Sequence, residues 1–315
     1  MSEQRAIALQ LCPFSAHLES ELAHRFEVIP WFELPVPAQQ QMLEQRAAAV
    51  RAVVTGGHIG CPNELMAALP ALGIIAINGV GVDKVDLSLA RARGVRVVRT
   101  PGVLAEDVAD LAVGLVIGVL RAIPAADAFV RRGEWGQRSW PLARKVSGRR
   151  FGILGLGEIG SAIARRLAPF GPVAYSGPRR KSVPYPFHAG VVDLARASDV
   201  LVICCPANES THHLVGASVI DALGPQGYLV NVARGSIVDE LALTAALATG
   251  KLQGAALDVF EDEPYVPEAL RASERVVLTP HIASATVEVR AQMADLILRN
   301  LDAFMRGEPL TAPVI

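Results

Sequence analysis

Short apolar runs alternate with helical patterns along almost the whole chain. The runs AIAL, FEVI, RAVVT, IIAIN and VRVV fall before residue 100, and FGIL, VAYS, VLVI, YLVNV, AALDV and VVLT follow it. Between them, segments such as Ile159 to Leu167 and Leu241 to Leu247 place apolar residues at helical spacing. Alternating strands and helices predict an α/β fold, with parallel sheets covered by helices on both faces.

The chain has 315 residues, and at about 150 residues per domain this predicts two domains. A strand pattern ends in the turn residues Arg99-Thr100-Pro101-Gly102, and a long helical pattern begins near Glu106. Proline holds Thr100 extended, which suits a crossing between lobes. A second crossing is expected after His281, with the helical stretch Val287 to Met305 returning to the first lobe. The predicted units are therefore residues 1–99 with 282–315, and residues 100–281.

Composition narrows the function. Thirty basic and thirty-one acidic residues leave a net charge of −1, without the basic excess of a general nucleic-acid binder. The longest apolar stretch, Leu111 to Leu120, is half the roughly 20 residues a membrane-spanning helix needs, so it is expected as a buried or subunit-facing helix. The N-terminus lacks a basic region followed by a sustained apolar one, and a cytoplasmic protein is expected. Cysteines 12, 61, 204 and 205 show no metal-ligand spacing, which predicts reduced thiols and no metal.

The run Gly155-Leu156-Gly157-Glu158-Ile159-Gly160 follows the strand pattern Phe151 to Leu154 and opens a helix. Gly155 permits the tight turn, Gly157 admits a pyrophosphate to the backbone, and Gly160 lets helix and strand pack closely. The helix N-terminus adds free N–H donors and partial positive charge. A dinucleotide site is predicted. NAD sites usually place an acidic residue about 20 positions on, against the ribose hydroxyls, yet none occurs from Ser161 to Val192. Ser176, Arg179, Arg180 and Lys181 stand there instead, suited to a 2′-phosphate. NADP(H) is the expected cofactor, with NAD(H) as the alternative.

Three later strand patterns each deliver a polar group just beyond their ends, where open parallel sheets bind ligands. Tyr228 to Val232 leads to Arg234, Ala255 to Phe260 leads to Glu261-Asp262-Glu263, and Val276 to Thr279 leads to His281. An arginine fork can hold a carboxylate and polarise the neighbouring carbonyl. Histidine can supply the proton a new alkoxide needs, with a carboxylate as its partner. The trio suits hydride transfer to a 2-oxo acid.

At these residues the sequence resembles the D-isomer-specific 2-hydroxyacid dehydrogenases, in particular their glyoxylate/hydroxypyruvate and hydroxyphenylpyruvate reductase branch. The resemblance runs through NGVGVDKVDLS at 78–88, TPGV at 100–103, GLGEIG at 155–160, NVARGSIVDE at 231–240, GAALDVFEDEP at 254–264 and LTPHIASAT at 278–286. It implies a Rossmann-type dinucleotide lobe inserted into a flavodoxin-like substrate lobe. It also implies Arg234 as substrate anchor, His281 as general acid and Glu263 as its partner. Val80 and Gly81 would hold the substrate carboxylate through their N–H groups. Val232, Cys205, Pro206 and Thr211 would line the cofactor, and Asp258 would face its nicotinamide carboxamide. The expected reaction is NADPH-dependent reduction of glyoxylate or hydroxypyruvate to D-2-hydroxy acids. Aromatic 2-oxo acids or 2-ketogluconate are alternative substrates, and a non-catalytic NAD(P) sensor is a further alternative. A homodimer is implied, joined through the cofactor lobe near Leu111 to Leu120, with Trp140 reaching toward the neighbouring active site.

Overall fold

A computed structural model describes residues 5–315. Residues 1–4, part of the N-terminus expected to lack a leader, lie outside the described residues. The chain divides into two compact units, Met1–Val103 with Thr286–Ile315, and Leu104–Ala285.

In the first unit, β1 (Ile7–Gln10), β2 (Glu27–Pro30), β3 (Val50–Gly56), β4 (Ile74–Asn78) and β5 (Arg96–Val98) form a parallel sheet in the order β2-β1-β3-β4-β5. Its helices are α1 (Ala16–Arg25), α2 (Val36–Arg46), α3 (Asn63–Ala68), α4 (Leu87–Ala92) and the last helix of the chain, α12 (Val287–Arg306). One sheet face carries Ala52, Val54 and Ala76 against Leu18 and Leu22 of α1 and Ala294, Ile297, Leu298 and Leu301 of α12. The other face packs Val53, Ile75 and Ile77 on Met42, Leu65, Met66 and Ala90. Both faces are covered, which is why the strands read as continuous apolar runs. Each fully buried aliphatic side chain contributes about 1.5–3 kcal/mol. Thr286 starts α12 by accepting from the N–H of Val289 at 3.2 Å, and Gly307 ends it at φ +70°.

The second unit holds β6 (Phe151–Leu154), β7 (Val173–Ser176), β8 (Phe187–His188), β9 (Val200–Ile203), β10 (Tyr228–Asn231), β11 (Gly254–Leu257) and β12 (Val276–Leu278), all parallel, in the order β12-β11-β10-β9-β6-β7-β8. Its helices are α5 (Ala105–Leu120), α6 (Ile123–Arg131), α7 (Glu158–Leu167), α8 (Val191–Arg196), α9 (Ala217–Leu223), α10 (Glu240–Thr249) and α11 (Glu268–Arg271). The two-residue β8 carries no apolar run, so periodicity gave no sign of it.

The apolar stretch Leu111 to Leu120 forms most of α5, which packs on α7, β10 and β11 within its own unit. Its Ala112, Leu115, Val116, Val119 and Leu120 are buried there, leaving only the half-buried Leu111, Val113 and Ile117 on another side. Among the described residues no single helix is long and apolar enough to cross a membrane.

Candidate functional site

Each sheet reverses its winding at one place, between β1 and β3 in the first unit and between β6 and β9 in the second. The carboxyl ends of strands at such a reversal leave a crevice suited to ligands. The glycine-rich turn occupies the second of these. Gly155 follows β6 at φ +97°, and a Cβ there would lie 2.6 Å from the backbone of Cys205, which follows β9. A Cβ on Gly160 would lie 2.0 Å from the carbonyl oxygen of Gly155, so α7 can approach only as glycine. Gly157 is different: nothing lies within 4 Å of its Cβ position. It is also the N-cap of α7 and offers no side-chain cap, so the first-turn N–H groups remain for an outside acceptor. Leu156 and Gly160 are buried, Ile159 is half-buried and Glu158 is exposed. An open glycine before an uncapped helix end fits a dinucleotide pyrophosphate.

Around this turn the expected cofactor residues divide. Ser176 ends β7, and its carbonyl accepts from the N–H of Gly155 at 2.9 Å. Arg179 is exposed and has no partner among the described residues. The Arg180 guanidinium lies 5.7 Å from the Phe187 ring centroid. Lys181 is committed elsewhere: its Nζ donates to the carbonyl of Leu156, and its N–H donates to the Tyr175 hydroxyl at 2.6 Å. It ties the basic loop to the glycine-rich turn. Cys205 and Val232 are buried and Pro206 is exposed. The Thr211 hydroxyl caps its own loop, accepting from the N–H of Asn208 at 2.8 Å and donating to the Pro206 carbonyl at 3.0 Å.

Burial pushes the thiols of Cys12 and Cys205 up to about 11 and that of Cys61 to about 12, and drives Cys204 upward as well. All four cysteines are free thiols. No metal-ligand spacing appears in the sequence, yet folding brings ligand atoms of His212, His213 and Glu261 within 4.8 Å of one another. A 2.6 Å bond between His213 Nε2 and Glu261 Oε1 already engages two of these groups.

The polar groups beyond β10, β11 and β12 come from three adjacent strands. Arg234 follows β10 and is half-buried, with Nη1 donating to the carbonyl of Ala233 at 2.7 Å. The buried Asn231 staples that turn, accepting from the N–H of Ala233 at 3.0 Å and donating to the carbonyl of Arg234 at 2.8 Å. A Cβ on Gly235 would fall 1.8 Å from the carbonyl carbon of Phe260, so glycine alone lets the arginine turn press on the acidic one.

His281 Nδ1 lies 2.8 Å from Glu263 Oε2. A carboxylate only accepts, so Nδ1 carries the proton of that bond. Glu263 Oε1 also accepts from the N–H of Phe260 at 3.1 Å, which orients the carboxylate. His281 itself has φ +53°, a conformation costly for a side chain with Cβ. Asp258 holds the loop in that shape. Its carbonyl accepts from the N–H of His281 at 2.8 Å, and its carboxylate accepts from Thr279 Oγ1 at 2.7 Å, the N–H of Ile282 at 2.8 Å and the N–H of Ala283 at 2.9 Å. Burial pushes the Asp258 carboxyl above the usual range against these donors and the charge of His281. Asp258 is fully buried, and its carboxylate faces the His281 loop. Asn231 and Thr279 stand inside motifs read for their neighbours, and they are marked only by their side-chain bonds, local for Asn231 and long-range for Thr279.

In the first unit, Val80 and Gly81 follow β4 in a half-buried turn. The Gly79 carbonyl accepts from both the N–H and the hydroxyl of Thr100, at 2.9 and 3.2 Å. The carboxamide Oδ1 of Asn78 beneath the turn is buried without a hydrogen-bond partner among the described residues.

Trp140 packs on Phe129 of its own unit, with ring centroids 5.1 Å apart. The outward tryptophan is Trp135, 75% exposed.

Residues 113–283 match the family model described as D-isomer specific 2-hydroxyacid dehydrogenase, NAD binding domain. The chain is 48% identical to hydroxyphenylpyruvate reductase of Plectranthus scutellarioides and 46% identical to a glyoxylate/hydroxypyruvate reductase A of Arabidopsis thaliana, each over 98% of both chains. It superposes with a TM-score of 0.89 on an NADPH-dependent glyoxylate/hydroxypyruvate reductase of Sinorhizobium meliloti solved with NADP and malonate. That protein is 40% identical, and the match covers 98% of this chain and 97% of the other.

Proposed function

Because the chain belongs to the D-isomer-specific 2-hydroxyacid dehydrogenase family, we propose that it reduces small 2-oxo acids, foremost glyoxylate and hydroxypyruvate, to D-2-hydroxy acids with NADPH. The observation that carries this reading is the 2.8 Å bond between His281 Nδ1 and Glu263, beside Arg234 on the neighbouring strand ends. The reduced nicotinamide supplies a hydride to the carbonyl carbon when bound. Arg234 polarises the carbonyl and holds the adjacent carboxylate, and His281 Nε2 gives its proton to the carbonyl oxygen as the alkoxide forms. Glu263 orients the ring and balances the charge on the protonated imidazole. In the first unit, the substrate-binding one on this reading, the N–H groups of Val80 and Gly81 take the carboxylate. In the second unit the α7 N-terminus would hold the pyrophosphate of the dinucleotide, with Gly155, Gly157 and Gly160 keeping the turn clear of side chains. Arg179 is the cation left for the 2′-phosphate, Arg180 stacks beside it and Lys181 fixes their loop.

A homodimer is part of the proposal. Ile123, Val130, Trp135 and Leu142 are large, apolar and exposed, on and just after α6, where a second copy would cover them. The free thiols of Cys12, Cys61, Cys204 and Cys205 support a reducing, cytoplasmic setting.

The test is loss of NADPH absorbance with glyoxylate, hydroxypyruvate, phenylpyruvate and 2-ketogluconate, repeated with NADH. His281→Asn is expected to lower kcat/KM by about 10²–10⁴-fold while NADPH still binds. Wild-type turnover in that variant, or no oxidation with any of the four acids, would overturn the reading, the latter in favour of a nucleotide sensor. Arg179→Ala is expected to raise the KM for NADPH about 10-fold and leave NADH unaffected.

A further inference from the structure

Arg290 stands in the first turn of α12, on the row that faces the sheet. Positions four, seven, eight and eleven residues further on are Ala294, Ile297, Leu298 and Leu301, all buried against β3 and β4 residues and their neighbours. Arg290 continues that row past Ala294 and is half-buried. Burial pushes its guanidinium below the ordinary arginine range, and the thiol of Cys12 is the titratable group that faces it. Among the described residues no hydrogen bond, ion pair or ring contact reaches this guanidinium.

Other shielded arginines behave differently. Arg25 holds Glu21 and Asp302, and Arg166 holds Glu106 and Asp110. A partly buried cation without a counter-ion is unfavourable. One in the first turn of a helix also opposes the helix dipole. Among the described residues of the first unit, no hydrogen bond or ion pair offsets either cost.

The position of Arg290 suggests what does. Cys12 lies just beyond β1, and Gly56 ends β3, so both stand where the five-stranded sheet reverses its winding. A Cβ on Gly56 would lie 3.3 Å from Cys12 Sγ, and one on Gly79 would lie 3.4 Å from the backbone nitrogen of Gly57. The ends of β1, β3 and β4 therefore form one continuous edge, from Cys12 through Gly56 and Gly57 to the Val80–Gly81 turn. Phe304, near the other end of α12, lies against the Cβ position of Gly73 just before β4, so α12 runs antiparallel to the strands and its first turn, with Arg290, lies toward that edge.

We propose that Arg290 is a specificity residue that binds the oxygen functions on C3 and beyond of the 2-oxo acid, favouring hydroxylated or carboxylated tails over apolar ones. The inference rests on the 2-oxo acid reductase reading and names the class of substrate for it. A guanidinium fork donates to a hydroxyl or a carboxylate and gains nothing from an aromatic ring lying edge-on to it. Glyoxylate, which has no C3, is the internal control.

The experiment is steady-state kinetics of the full chain with NADPH, comparing wild type with Arg290→Met and Arg290→Lys on glyoxylate, hydroxypyruvate and phenylpyruvate. Methionine keeps the apolar stem in place and removes the charge. Arg290→Met is expected to lose about 10-fold or more in kcat/KM on hydroxypyruvate, mainly through KM, and less than about 3-fold on glyoxylate. Phenylpyruvate turnover should stay level or rise, and Arg290→Lys should recover part of the hydroxypyruvate activity. Equal losses on glyoxylate and hydroxypyruvate would show that Arg290 serves the shared carboxylate or the fold, and would overturn the proposal. So would unchanged kinetics on all three. Absence of wild-type turnover is a separate outcome, which overturns the reductase reading and this inference with it. Turnover of glyoxylate by the methionine variant reports that it has folded.

Discussion

At the switch point of the second unit the chain presents bare backbone, while at that of the first it presents a charged side chain. Both sheets are parallel and doubly wound, and each reverses between two neighbouring strands. In the second unit Gly155, Gly157 and Gly160 strip the crevice of side chains, so an uncapped helix end can meet a ligand directly. In the first, Cys12 and Gly56 stand at the reversal and α12 brings in Arg290. A pyrophosphate is the same in every dinucleotide, and backbone donors suit a group that never varies. The tail of a 2-oxo acid does vary, and a side chain is the part of a protein that substitution can tune. On the proposed reading, the same architecture would meet the invariant groups of its ligands with peptide N–H donors and the variable tail with an arginine.

The comparison breaks most sharply at Gly160. Gly160→Val would drive its Cβ into the Gly155 carbonyl, which lies 2.0 Å from that position, so the turn must open. NADPH binding, followed by fluorescence titration, is expected to vanish, while the first unit keeps its own core. Retained binding would mean that the close approach of α7 to the turn is not what forms the site.

A smaller effect is expected at Asp258, where the second unit does rely on a side chain. Asp258→Asn turns one acceptor into a donor facing the N–H groups that fix the His281 loop. A buried unpaired donor costs roughly 1–3 kcal/mol, so kcat should fall about 10–100-fold with little change in the KM for NADPH. A rise in KM with kcat intact would instead make Asp258 a cofactor contact, as the family resemblance implies.

The smallest effect concerns Glu240, whose Oε1 accepts from the N–H of Glu261 at 2.9 Å. Burial raises its carboxyl above 4.5, and the nearby Glu261, Asp262 and Glu263 add to the shift against the pull of that N–H. A raised carboxyl binds a proton more tightly in the folded state than in the unfolded one. Its contribution to stability is complete below the ordinary glutamate range and is lost as pH rises through the raised value. Glu240→Gln should therefore be the more stable protein at neutral pH, by about 1 kcal/mol or less, with the difference closing below the ordinary glutamate range. Thermal melts of both proteins between acid and neutral pH check this; a constant difference would remove the assigned cause.

Much of the site could be read from the order of residues alone. Periodicity marks every strand except β8, whose Phe187–His188 pair is too short to show one. The glycine spacing at 155–160, and the positions of Arg234, Glu263 and His281 just past strand ends, are local features set by neighbours in sequence. The strand order then brings the last three together, because β10, β11 and β12 are adjacent.

What only the tertiary structure decided are contacts between residues far apart in the chain. Glu263 and His281, paired in the sequence only by the family resemblance, come within 2.8 Å of each other through the fold. Asp258 accepts from the N–H groups of Ile282 and Ala283 beside a strained histidine, and Lys181 donates to the carbonyl of Leu156. Most of the apolar run in α5 is buried within its own unit, and Trp135 is exposed while the half-buried Trp140 packs on Phe129. Arg290 reads as one more polar residue on an amphipathic helix until its row is seen to face the sheet. Sequence specifies each residue's chemistry and its local geometry; whether a charge finds a partner depends on which distant segment folds against it.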